Sequence, residues 1–368
     1  MTFSSSDHSS FTPAAIERTC TETHQHSQLG FSRAYSLSLS PQIIYNRSTL
    51  LPTLVSSKVY QQLEFLAVGS WWIYDPSVEE KHDCDGHIET ENSIKCLHKI
   101  PSSREDVVND DSIDLRSKRN VMRFLQLAAN VDAYRAAIEE SGSLSFTDFL
   151  STRFKLPDKL QAPFHALTLS LEPPSTTTTA YALPRIHRHL TSIGQFGPGF
   201  GAVIPKWGGL AEVAQVACRA GAVGGGVYVL DKGVVAVKEV KEAKSNEENC
   251  VAQIELSSEE IIEFRKLVGS RCDLPIQDEE RDSMAPQVWK GISIISSPLD
   301  RLFPSPAEGA PPSAAALVIL PSHTLASDNG SISSSDHPVY LMIHSSDTGE
   351  CPSGQCESFT ISPLDHAI

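Results

Sequence analysis

Apolar residues fall at two periods along this chain, and the change of period divides it. Between Leu115 and Leu171 they recur at three- and four-residue intervals: Val121, Phe124, Leu125 and Ala128, then Phe146, Phe149 and Leu150, then Phe164, Leu167 and Leu171. That spacing places each set on one face of a helix, and short helices with polar connections predict a small bundle. An earlier helix is predicted after Ser48, a good N-cap, with Leu51, Leu54, Val55, Val59 and Leu63 on one side. Ser102 and Glu105 have capping-box spacing, and Tyr181–Ile193 reads as one more helix. The aromatic and branched run Phe65–Tyr74 reads as a strand. Short strands are expected again at Val234–Val240, Val251–Leu256, Gly291–Ser296, Leu317–Leu320 and Val339–His344, separated by acidic or Pro/Ser/Gly-rich loops at Ser305–Ser313 and Ser322–Asp336.

Between these regions lies FGPGFGAVIPKWGGLAEVAQVACRAGAVGGGVYVL, Phe196–Leu230. It reads as a glycine turn, a helix, a second glycine turn and a buried strand at Val227–Leu230. Leu210, Val213, Ala214, Ala217 and Gly221 form the expected buried stripe of that helix. Gly224-Gly225-Gly226 stops it, since glycine accepts the left-handed conformation that ends helices. Glu212 and Arg219 fall about two turns apart, so both leave the same side, with Gln215 between them.

This unit resembles the third conserved region of the Rab GDP-dissociation inhibitor and escort superfamily, and is most similar to its fungal escort branch. Tyr45–Tyr74, Lys118–Leu169 and Trp289–His344 are similar to further blocks of that family in the same order, so the likeness spans roughly residues 33–356. It implies an α/β fold of the FAD/NAD(P)-binding-like type with an inserted all-helical domain. The expected layout is a disordered segment at 1–32, a first part of the sheet domain at 33–102, the helical domain at 103–172, the rest of the sheet domain at 173–356, and an irregular tail at 357–368. The family's opening strand and glycine-rich turn, and its C-terminal helices, have no counterpart here. The expectation is therefore an incomplete sheet domain, truncated at both ends, with an unpaired strand edge.

The resemblance also implies roles. Glu212, Gln215, Arg219 and Trp207 match the platform that binds GDP-loaded Rab GTPases. Phe124 or Leu127, with Arg135, match the contact with the α/β heterodimer of Rab geranylgeranyl transferase. Phe146, Phe149, Leu150, Phe164 and Leu167 line the helical domain where the family holds geranylgeranyl lipid. The implied function is non-catalytic: to bind Rab, present it for prenylation and escort the lipidated product to membranes. A recycling inhibitor that does not bind the transferase tightly is the alternative within the family. A flavin-dependent oxidoreductase is the alternative outside it.

Composition narrows these readings. A formal charge of −15 over 368 residues disfavours nucleic-acid binding. There is no apolar run of 18 residues, no basic-then-apolar start and no prenylation box at the end, which argues against stable membrane insertion. Eight irregularly spaced cysteines suit reduced cytosolic thiols and a cytoplasmic location, to which the resemblance adds transient membrane delivery. No cofactor is expected. Gly197, Gly199 and Gly201 lack dinucleotide-fingerprint spacing, are interrupted by Pro198 and precede Ala-Val-Ile-Pro, not a helix. His82, Cys84, His87, Cys96 and His98 share the charged insertion at 75–92 and its flank but have no zinc-knuckle spacing. Cys351 and Cys356 form a tighter pair with no second pair beside it. There is neither a nucleophile elbow nor a phosphate-binding loop.

Overall fold

The computed structural model describes residues 29–76, 96–101, 104–110, 113–239, 252–269, 274–275, 288–305, 312–324 and 336–363. Expectations for residues 1–28 and for the insertion at 77–95, including His82, Cys84 and His87, lie outside the described residues. The chain divides into two compact units, the larger formed by Gln28–Ala220 with Pro286–Ile368 and the smaller containing Gly221–Ala285.

The larger unit is built on a mixed sheet with strand order β1-β4-β2-β9-β10-β11-β8, with β3 also on β2. Its strands are β1 (Ile44–Tyr45), β2 (Phe65–Tyr74), β3 (Leu97–Lys99), β4 (Ala202–Pro205), β8 (Val288–Ile295), β9 (Ala315–Leu320), β10 (Val339–Ser345) and β11 (Cys356–Pro363). Segments before and after the helical insert thus share one sheet. β2 pairs with β9 in parallel, Trp72 opposite Val318, and with β4 antiparallel, Ala67 opposite Val203. Residues 357–363, expected to belong to an irregular tail, instead form most of β11, paired on both sides to β10 and β8. Cys-Glu-Ser-Phe-Thr-Ile alternates polarity weakly because both faces of this strand are covered, so no period-two signal survives.

Alternation on β9 assigns the faces. Ala315, Leu317 and Ile319 enter the main core, while Ala316 and Val318 enter a second cluster with Phe303, Ile343 and Cys356. The main core joins the sheet to α3 (Leu115–Ala129), α4 (Val131–Ser141), α5 (Phe146–Phe154), α6 (Asp158–Leu167) and α7 (Thr179–Ser192). These helices start where side chains satisfy otherwise unpaired amides. Asp114 Oδ1 accepts from the Arg116 and Ser117 amides at 2.8 and 2.9 Å, and the Ser117 hydroxyl, donating to Oδ2 at 2.6 Å, leads these amides in holding its carboxyl below the usual range. Asn130 caps α4 and Ser145 caps α5 in the same way. The Tyr340 hydroxyl on β10 donates to the Ser170 carbonyl at 2.7 Å, tying sheet to bundle. Helix α7, assigned by sequence to the sheet domain, packs on the bundle: its Leu183 and Ile186 are wholly buried, and His187 Nδ1 lies 2.9 Å from the Ala128 carbonyl. Two short helices, α1 (Leu50–Ser56) and α2 (Arg104–Asn109), complete this unit together with most of α8 (Leu210–Val223).

The smaller unit contains an antiparallel meander of β5 (Val234–Glu239), β6 (Ala252–Leu256) and β7 (Ile261–Phe264). Lys232–Glu260 and Lys238–Glu255 ion pairs at 2.6 and 2.8 Å lie across it. Strand β7 was missed by sequence because Ser-Glu-Glu-Ile-Ile-Glu is mostly exposed and shows no alternation.

Candidate protein-docking site

The chain leaves β4 through an unusual turn. Trp207 has φ +79°, a left-handed conformation that costs a bulky side chain on the order of 1–3 kcal/mol. Its amide donates to the Thr348 carbonyl at 2.8 Å. Its indole lies against Gly349, where a built methyl carbon would sit 2.5 Å from the indole Cζ3. The Lys206 ammonium lies 4.8 Å from the ring centroid and is held by Glu64 at 3.0 Å. With all these restraints, Trp207 remains 53% exposed. Trp207 is thus a fixed, exposed aromatic.

Helix α8 follows through the buried residues Gly208 and Gly209. Glu212 sits in its first turn, where the amide dipoles favour a carboxylate, and folds back so that its Oε1 would lie 3.3 Å from a side-chain carbon at Gly208. Glu212 is half-buried, while Gln215 and Arg219 are exposed. Helical spacing sets Glu212 and Arg219 on one side. The expected buried stripe is corrected here: no residue of α8 is buried, Ala214 and Ala217 included. Periodicity reports the helix, whereas burial needs a covering element. The C-terminus behaves as expected. Gly225, φ +91°, donates to Ala222 O and Gly226 to Gly221 O, the paired bonds of a Schellman turn. Val227–Leu230, expected as a buried strand, is irregular and exposed, with Val227 and Leu230 at 86% and 85%. Its apolar run joins no strand among the described residues.

The loop that holds Trp207 continues into a feature with no motif in the sequence. His344 on β10 and Glu357 on β11 are cross-strand neighbours, on the same face as Met342 and Phe359. Glu350, from the loop joining those strands, pairs with His344. All three are at most 2% exposed. Glu350 Oε1, both Glu357 carboxylate oxygens and His344 Nε2 have no hydrogen-bond partner among the described residues. Burial first, and the adjacent Glu350 second, push the Glu357 carboxyl up to about 8. Charged residues inside a core escape period-based reading, which expects apolar side chains there.

The helical candidates separate clearly. Phe124 is fully buried, its ring centroid 4.8 Å from Phe164, 5.4 Å from Phe154 and 6.0 Å from Phe146. The expected transferase contact through Phe124 is thereby corrected: its ring is at the centre of the bundle, because it lies on the same helical stripe as Val121 and Ala128. Leu127 is half-buried and Arg135 exposed. Phe146, Phe149, Leu150, Phe164 and Leu167 are all buried in the same core cluster as Phe124, where a lipid cleft was expected.

Among the described residues there is no group of three or more His, Cys, Asp or Glu able to hold a metal. Cys96 is half-buried and His98 exposed. Cys351 and Cys356 are free, buried thiols directed at the Gln355 and Pro298 carbonyls. The Gly197–Gly201 turn joins α7 to β4, so it lacks the strand-to-helix setting of a dinucleotide site. Among the described residues no helix is long and apolar enough to cross a membrane.

The model of the GDP dissociation inhibitor family matches residues 4–308. Over 323 residues the chain is 28% identical to Rab proteins geranylgeranyltransferase component A of Saccharomyces cerevisiae, an alignment covering 88% of this chain and 47% of that protein. The protein of the same name from Candida albicans is 24% identical over 334 residues, covering 89% and 46%. The chain thus spans about half the length of these relatives. A solved Rab GDI from Plasmodium falciparum aligns with TM-score 0.59 at 18% identity, covering 94% of this chain and 71% of that one, a likeness of fold.

Proposed function

The chain belongs to the GDP dissociation inhibitor family, and from that premise we propose that it is a non-catalytic Rab escort component. In this reading it binds GDP-loaded Rab GTPases and presents them to Rab geranylgeranyl transferase. It then accompanies the prenylated product through the cytoplasm to membranes. The names borne by the yeast relatives support the branch.

The observation that carries the reading is the surface made by Trp207 and α8. A fixed, exposed indole precedes a helix that buries none of its residues and keeps Gln215 and Arg219 in solvent on the side of Glu212. Aromatic and arginine side chains are the residue types on which interface energy concentrates. A guanidinium can also make paired, charge-assisted bonds to a carboxylate once desolvated. On the helical bundle, exposed Arg135 and half-buried Leu127 remain available for the transferase α/β heterodimer. A geranylgeranyl chain would have to part the helices around Phe146, Phe149, Leu150, Phe164 and Leu167. Roughly 0.8 kcal/mol per buried methylene would offset part of that cost.

The test is titration of unprenylated, GDP-loaded Rab against wild type, Glu212→Ala and Arg219→Ala. Arg219→Ala is expected to weaken binding about tenfold or more, which corresponds to about 1.4 kcal/mol. Equal affinity for all three proteins would remove these side chains from the interface.

A further inference from the structure

An exposed tryptophan usually moves freely, and a restrained one usually fills a core. Trp207 is restrained and exposed at once, and every restraint except Lys206 comes from one short loop. Thr348 accepts its amide hydrogen, and Gly349 leaves room for its ring. That loop is itself fixed. The Thr348 hydroxyl donates to Ser345 O at 2.8 Å, Gly349 N donates to Ser346 O at 3.0 Å, and Gly349 holds φ +78°. The next residue, Glu350, receives the Ser36 amide on its carbonyl at 2.8 Å and sends its side chain inward to His344. Ser345, Thr348 and Glu350 of this turn are buried and only Asp347 is exposed, and burying a carboxyl group and an imidazole there costs free energy that their pairing offsets. The pair ties the turn rigidly to β10.

We propose that the Ser345–Glu350 turn, pinned by the buried Glu350–His344 pair, is a positioning device that holds Trp207 preformed for the GTPase partner. Gly349, Glu350 and His344 are then positioning residues, acting through the indole without touching the partner. Preforming the aromatic lowers the ordering cost of association. The left-handed backbone at Trp207 fits this, because strain persists where the surroundings hold it for a use. The inference rests on the reading of Trp207 and α8 as the GTPase-binding surface.

Two readouts separate the device from the surface it serves. The first is acrylamide quenching of Trp207 emission in a Trp289→Phe background, which removes the other strongly exposed indole. Gly349→Ala and Gly349→Asn both place a methylene or methyl against the ring, and asparagine tolerates the left-handed backbone. Both are expected to raise the quenching constant about twofold. Unchanged quenching would overturn the positioning itself. The second readout is affinity for GDP-loaded Rab. Gly349→Asn and Glu350→Ala are each expected to weaken binding about tenfold, and Glu350→Gln to restore most of it. In a Trp207→Ala background Gly349→Asn should cost nothing further, since coupled residues are not additive. Multiplicative losses would overturn the proposal by showing that the turn acts independently of Trp207. Wild-type affinity in Trp207→Ala with altered quenching in Gly349→Asn would instead overturn the binding surface on which the proposal stands.

Discussion

Replacing Glu357 with glutamine should make the folded protein less sensitive to alkali, by an amount that follows from its surroundings. The carboxyl is fully buried on β11, facing Glu350 and His344, with the Cys351 thiol nearby. It is raised from an ordinary 4.5 to about 8. A group that holds its proton more tightly folded than unfolded contributes stability at low pH. That contribution is lost as pH rises from the unfolded toward the folded value. Stability should therefore decline as pH rises through this window, by about 2–3 kcal/mol between about pH 5.5 and pH 7.5. His165 and His189, both depressed to about 4 by burial, act in the opposite direction below about pH 6.5. They are common to both proteins and cancel in the difference. The assay is urea unfolding of wild type and Glu357→Gln at three pH values across the window. A shallower pH dependence in the variant is expected, with the largest gain at the highest pH. Parallel curves would show that Glu357 ionises as freely folded as unfolded, and the description of a sealed carboxyl would fall.

Other outcomes are equally direct. Phe124→Ala should lower unfolding stability by about 3–5 kcal/mol, whereas Arg135→Ala should stay within about 0.5 kcal/mol and be read in transferase binding. Asp114→Ala removes the N-cap of α3 and should cost about 1 kcal/mol, measured by the same denaturation. Maleimide labelling at neutral pH, followed peptide by peptide, should modify exposed Cys218 quickly. Cys351 and Cys356, pushed up to about 12 and about 11, should react only on unfolding.

The sequence was most legible where one face of an element is buried. Phe65–Tyr74 was read to the residue, and the stripe Val121, Phe124 and Ala128 marked the true core of α3. The glycine triplet after α8 ended the helix as glycine chemistry requires. Legibility failed where context decides. Helix α8 has the composition of a buried helix and is not buried, so propensity and period were right about conformation and silent about neighbours. Val227–Leu230 has strand-like residues without a ladder. Strand β11 was invisible because Glu357 occupies a core position. The Trp207 site was half legible: the residues Trp207, Glu212, Gln215 and Arg219 stand in one stretch, but Gly349 and Glu350 come from far along the chain. Only the fold brings their loop against the indole.

The position of β9 in the sheet has a consequence for biogenesis. This late segment lies between β2 and β10, so β2 waits for a strand that is translated long after it. Until Ala315–Leu320 emerges, Trp71 and Ile73 have no neighbour on that side and remain open to self-association. Nascent chains stalled before β9 should therefore bind holdase chaperones, and those stalled after β11 should be released. A backbone nicked in the loops after β9 should stay joined as two fragments, held by the ladder it has already closed.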